Sequence, residues 1–160
     1  GVQGAVDSAE EIEGLAAYFD EELNLQSPDA FNFFQDIMTS TENFFAISGA
    51  KRVGVKLEKV VTDSCRLLHV DRLGLRLITT YEGVATEWLR NENVLRSGLG
   101  KGDNALVMRP GSQVEKMEAG WIGIMKGDSL INQGNGFVHR SPAVESWGGR
   151  RLVLRIDTIS

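Results

Sequence analysis

The sequence predicts a mostly β domain with N-terminal helices (α+β), arranged as a double-stranded β-helix, or cupin-like jelly roll, backed by those helices. Apolar residues recur at helical spacing over 1–49 and, after Gly49, at a spacing of two. The second part then breaks into short runs separated by turns containing Gly and Asn, the pattern of a sandwich or barrel. A single domain over 1–160 is expected, with 1–49 as helical support and 50–160 as the β core.

Each element has its own signal. Ser8 and Glu11 form a capping box, and Ile12, Leu15, Ala16, Phe19 and Leu23 follow on one helical face. Ser27-Pro28 opens a second helix, with Ser as N-cap and Pro in the first helical position. Phe31, Phe34, Ile37 or Met38, and Phe45 make its apolar stripe, and Gly49 is its stop. A stripe of this kind is expected to pack on a sheet rather than to form a ligand groove. Val53, Val55 and Leu57 then alternate with polar or small residues, as in a half-buried strand. Further strands are expected at 66–70, 75–81, 86–89, 105–108, 121–126, 136–139 and 151–157.

With 160 residues the chain can bury one core of ordinary size but not two. Its net charge of −5, from 17 basic and 22 acidic residues, comes without a block of like charge, which argues against a nucleic-acid backbone as partner. The lone cysteine, Cys65, excludes an internal disulfide and requires no oxidising compartment. No apolar stretch approaches the roughly 20 residues that span a bilayer. Together these lead to the expectation of a cytoplasmic protein. The opening Gly1-Val2-Gln3-Gly4 lacks both an initiator Met and a signal pattern, so a processed or truncated beginning is expected.

The chain has two histidines, His69 and His139. In a strand, residues i and i+2 share a face, so His69 and Asp71 project together while Val70 points away. His139 lies in a second strand-like run and supplies a third ligand. Two imidazoles and a carboxylate leave about three coordination positions open, the arrangement of non-haem iron(II) sites that activate oxygen. The same donors suit zinc or manganese, so the ligand set alone leaves the metal open.

A cation follows His139 at a useful distance, Arg150 or Arg151. Its planar fork could clamp the far carboxylate of 2-oxoglutarate. Alternation places Arg151, Val153 and Arg155 on one face, opposite Leu152 and Leu154. The other reading puts these arginines on the solvent face of an edge strand. Arg76 is a second candidate for the clamp, and Tyr81 offers a hydroxyl to the same carboxylate.

At 69–89 the chain reads HVDRLGLRLITTYEGVATEWL, and at 138–142 it reads VHRSP, followed by RRLVLRID. These segments resemble a bacterial domain family of unknown function, whose motifs H-V-D, R-L, T-Y, G, T-E-W-L, H-R-S-P and R-L-x-L-x-x-D occur here in order over about 50–157. Members usually carry an additional N-terminal segment. The family's association with zinc-responsive genes and metal chaperones implies a role in handling metal. More distantly, H-x-D…H with a downstream Arg is similar to the iron(II)/2-oxoglutarate dioxygenases, which implies His69, Asp71 and His139 as ligands and Arg151, or Arg150, as the cosubstrate clamp.

Other signals carry less. Gly98-Leu99-Gly100-Lys101-Gly102 lacks the spacing of a nucleotide-binding loop and reads as a turn. Ser141 shares a face with His139 but has no third orienting group. Cys65 reads as a buried free thiol, and Thr86-Glu87-Trp88 either borders the site or sets a solvent-facing Glu beside a packed Trp. The expected function is an iron(II)/2-oxoglutarate-dependent oxygenase that hydroxylates a substrate left open. The alternative is a non-catalytic zinc-binding or metal-sensing protein of metal homeostasis. A structural interaction domain with an empty site comes third.

Overall fold

The computed structural model describes residues 1–14, 30–129, 133–147 and 149–159. Strand β1 (Val2–Val6) leads to a helical turn at 12–14 and then to helix α1 (Ala30–Ser48). Strands β2 (Val53–Val60), β3 (Leu75–Glu82), β4 (Glu87–Trp88), β5 (Glu115–Lys116), β6 (Ile122–Lys126), β7 (His139–Arg140) and β8 (Arg151–Thr158) follow. Two antiparallel sheets result: a five-stranded one in the order β1-β2-β8-β3-β6, and a three-stranded one in the order β5-β4-β7. Among the described residues no helix is long and apolar enough to cross a membrane.

Alternation divides the large sheet into an apolar face and a charged one. Val53, Val55, Leu57, Leu77, Leu154 and Ile156 lie on the face that packs against Ile37 and Phe44 of α1. The intervening residues Glu58, Arg76, Ile78, Arg151, Val153 and Arg155 line a cavity on the opposite face. The small sheet closes that cavity from the other side with His139 and Arg140. Beyond the small sheet, Leu68, Leu89, Val94, Val107 and Val138 form a separate apolar cluster. The site is thus held between two sheets, each backed by its own core.

Helix α1 stops where expected, with Gly49 in the left-handed region (φ 63°) and its N–H on the Phe45 carbonyl. Its inward line is Ile37, Thr41 and Phe44, all fully buried, while Phe34, Met38 and Phe45 are partly covered. The Thr41 hydroxyl donates to the Ile37 carbonyl, which lets a polar residue occupy that line. The expected stripe was therefore one residue off at its C-terminal end. Of the first expected helix, the described part carries the Glu11 carboxylate accepting from the Asp7 N–H at 3.0 Å, and a fully buried Ile12. Leu15, Ala16, Phe19, Leu23 and Ser27-Pro28 lie outside the described residues.

The structure corrects the expected elements in three places. The segment read as wholly helical begins with strand β1, which lines up with β2 from Val2 opposite Leu57 to Val6 opposite Val53. Five residues with Gly and Ala among them are too short a run for their alternation to register. The run 105–108 is mostly a 3-10 turn (Asn104–Leu106), because the Asp103 carboxylate caps the Ala105 N–H. The run 66–70 makes one isolated bridge, at His69, rather than a strand. The Asn104 side chain occupies the Leu68 N–H (2.6 Å) and the Arg66 carbonyl (3.1 Å), where a neighbouring strand would otherwise pair.

The residues before His139 seat against the His69–Asp71 segment at Gly136. A Cβ there would lie 2.0 Å from Val70 Cγ1. The Gly136 carbonyl accepts both Arg96 guanidinium nitrogens at 3.1 Å, and its N–H donates to Asp128, so the backbone cannot back away. Val70 is stiff and cannot swing clear. Gly136→Ala should lower stability by about 1–3 kcal/mol, read as a shift of the urea midpoint with an unchanged slope.

Candidate metal centre

His69 and His139 face each other across a reciprocal backbone pair. Each N–H donates to the other's carbonyl, at 3.0 and 3.1 Å. Directly opposed residues send their side chains to the same face, and the two ring centroids stand 4.6 Å apart. Asp71 comes to the same point from two residues beyond His69. Its Oδ1 is 3.7 Å from His69 Nε2, and its Oδ2 is 3.3 Å from His139 Nε2. One ligating atom from each of the three residues lies within 4.8 Å of the others.

The outer nitrogens are engaged in the same way. His69 Nδ1 is 2.8 Å from the Leu67 carbonyl, and His139 Nδ1 is 3.2 Å from the Phe137 carbonyl. A carbonyl can only accept, so each Nδ1 carries the proton, and a neutral ring presents its Nε2 lone pair to Asp71. Burial pushes the His69 imidazole down, reinforced by the charges of His139 and Arg76, so it favours the neutral, ligating form. Burial acts to raise the Asp71 carboxyl. In metal-free protein, once the rings also carry a proton on Nε2, the hydrogen bond His139 donates and the charges of Arg76 and the imidazoles outweigh it and hold Asp71 down to about 2. Two lone pairs and an anion converging on one point need a proton or a cation between them. The donor set fits a divalent ion.

The neighbouring groups orient these three. Arg76 donates from Nη1 to Asp71 Oδ2 at 2.5 Å and, with Nε and Nη2, grips both oxygens of Asp157 at 2.6 and 2.7 Å. The Phe137 ring stacks between Trp88 and His139, with centroids at 5.4 and 6.3 Å, and covers one side of the ligand. The Asp71 carbonyl accepts from the Asp128 N–H at 2.8 Å, which ties down the loop beyond the ligand. Glu87 pairs with Arg140 across β4 and β7 at 2.7 Å.

The triad opens into a cavity of about 290 Å³. Arg151, 2% exposed, lines the same cavity. Its Nη2 lies 3.4 Å from the hydroxyls of Thr80 and Thr86, at the long limit of a hydrogen bond, and among the described residues its Nε has no partner. Burial, with the charge of Arg155 nearby, brings the guanidinium down to about 10, which still leaves it charged at neutral pH. Strand β8 is second to neither edge of its sheet, so Arg151 does not occupy the solvent face of an edge strand.

The structure therefore brings His69, Asp71, His139, Arg76 and Arg151 to one cavity and turns Arg150 and Tyr81 elsewhere. Arg150 pairs with Glu82 at the surface (2.7 Å). The Tyr81 hydroxyl donates to Asp36 of α1, and its ring packs edge-on against Phe33 on the sheet's other face. Arg76 reaches the site, but its three nitrogens are engaged by Asp71 and Asp157. Cys65 is exposed rather than buried, with φ at 50°, and its carbonyl accepts from the Ser141 N–H. Gly100 and Gly102 sit in left-handed turns, as the Gly-rich stretch implied. Asp157 and Thr80 were not read as site residues, whereas Thr86 belongs to the triplet expected to border the site or face away from it. Asp157 was within reach, because the alternation that aligns Arg151, Val153 and Arg155 continues to it.

The Asp71 carboxylate contributes a pH dependence whose sign is fixed. Its folded pKa lies below the ordinary 3.8, so its stabilisation is present above that value and is lost as pH falls toward 2. In metal-free protein the stability advantage over Asp71→Asn should shrink by about 2 kcal/mol between pH 4 and 2. Paired urea titrations at several pH values measure it; a constant difference would contradict the assigned ion pairing.

Among solved structures, a prolyl-4-hydroxylase from Pseudomonas putida aligns with a TM-score of 0.42 and 13% identity, covering 98% of this chain and 86% of that one. No curated protein matches the chain. A family match extends over residues 3–157, from β1 through Asp157 of β8, and takes in the triad, Arg76 and Arg151. The chain belongs to the family described as protein of unknown function (DUF1826).

Proposed function

We propose that this protein is an iron(II)- and 2-oxoglutarate-dependent oxygenase on a jelly-roll frame, acting by hydroxylation. Arg151 carries the reading. Around the cavity Arg155 is matched by Glu58, Arg140 by Glu87, and Arg76 by Asp71 and Asp157. Among the described residues Arg151 is the cavity arginine that makes no ion pair; the nearest acidic influence on it, Glu58, is taken by Arg155. Such a charge is costly unless an anion completes it. A divalent ion at the triad would add positive charge to the same cavity.

A dianion with a chelating group at one end and a carboxylate at the other answers both requirements, and 2-oxoglutarate is such a molecule. Its far carboxylate would pair with Arg151, with the Thr80 and Thr86 hydroxyls beside it. The cavity, near the lower end of the roughly 300–1,000 Å³ common for ligand sites, suits a small acid better than a nucleotide cofactor. Ile78 and Val153 line it and limit water. His69, Asp71 and His139 would hold the ion on one side and leave the other open, and the ion would supply oxygen activation when bound. Zinc held without a cosubstrate would use the same three donors and would leave Arg151 unexplained.

Anaerobic addition of 2-oxoglutarate to the iron(II) protein should produce a visible charge-transfer band, and air should then yield succinate. His139→Ala should abolish both. Arg151→Met should keep metal binding but weaken 2-oxoglutarate by about 10- to 100-fold, whereas Arg150→Met should leave it unchanged. Zinc binding in preference to iron(II), with no band at saturating 2-oxoglutarate, would sink the proposal in favour of a non-catalytic metal protein.

A further inference from the structure

Arg76 touches a carboxylate of the triad without belonging to it. We propose that Arg76, anchored by Asp157, is a positioning residue that reserves Oδ2 of Asp71 and restricts this carboxylate to Oδ1 toward a bound divalent ion. This deepens the metal-centre reading and rests on it.

The geometry argues for a device rather than a sheet fastener. Arg76 and Asp157 are register partners on β3 and β8, in the interior of the large sheet. Those strands are already joined by their ladder, and two guanidinium nitrogens suffice for the bidentate grip on Asp157. The third, Nη1, leaves the sheet and meets Asp71 Oδ2 at 2.5 Å, on a loop segment with no ladder of its own. A side chain only 11% exposed and held at two points by a fork has little rotational freedom. Asp71 inherits that rigidity. Its Oδ1 faces His69 Nε2 at 3.7 Å with no arginine on it, whereas Oδ2, though 3.3 Å from His139 Nε2, already accepts from Arg76. A carboxylate held by one oxygen occupies one coordination position instead of two, which leaves more of the ion's open side for small ligands.

Cobalt(II) alone, added to the full chain without 2-oxoglutarate, is the probe. Its visible absorption loses intensity as coordination number rises. Arg76→Leu releases Oδ2, and the bound-cobalt spectrum should weaken relative to wild type. Asp157→Asn, which preserves shape and loosens the anchor, should change it in the same direction and serves if Arg76→Leu does not fold. Arg150→Leu should leave the spectrum unchanged. A folded Arg76→Leu, or failing that Asp157→Asn, with the wild-type spectrum would overturn the positioning role while leaving the metal centre intact. Wild-type protein that binds no cobalt would overturn the metal-centre reading itself.

Discussion

The reciprocal backbone pair between His69 and His139 is the constraint on which the site depends. The chain around His69 forms no strand, yet the two N–H···O bonds fix both residues opposite each other and send both rings the same way. Asp71 then follows by parity. Because the pair is a single bridge, its neighbours must be held by other means, and they are. Asn104 fastens Leu68, Asp128 takes the Asp71 carbonyl, and Val70 fits over the bare Cα of Gly136. A short segment tied at each residue does the positioning that a full strand would do elsewhere.

The space between the sheets is unusual in being lined by charge. Buried ions are stable only when paired and hydrogen-bonded, and Glu58–Arg155, Glu87–Arg140 and the Asp157–Arg76–Asp71 chain satisfy that condition. These pairs do little for net stability compared with an apolar filling. They make a polar, dimensionally fixed compartment, and α1 with the apolar face of the large sheet provides the core that supports it. Against this background Arg151 is the exception, making no ion pair among the described residues, and the proposed anionic cosubstrate rests on it.

Much of the site was legible before the structure. A spacing of two pointed to His69 with Asp71, which do meet, though on a segment with a single bridge rather than a strand. It also puts Arg151 with Val153 and Arg155 on one face of a strand. Extending that parity by two residues would have added Asp157. What misled was local pattern without context: 66–70 looks like a strand and is held by a side chain, and 105–108 alternates but is turned by the Asp103 cap. Tyr81 and Arg150 lie close in sequence to site residues, and the same alternation that admits Arg76 and Arg151 turns them toward the helix and the solvent.

By itself the sequence determined the mostly β character, the metal-type donor set, the faces of the longer strands and the end of α1, all of which depend on neighbours within a few residues. Only the tertiary structure decided which distant segments meet. It set His139 opposite His69, gave Arg76 to Asp157 and Asp71, placed β8 inside its sheet, and left Arg151 buried with no ion pair among the described residues. Pairing between strands far apart in the chain is settled by global packing and by which backbone groups remain to be satisfied, and no local period encodes it.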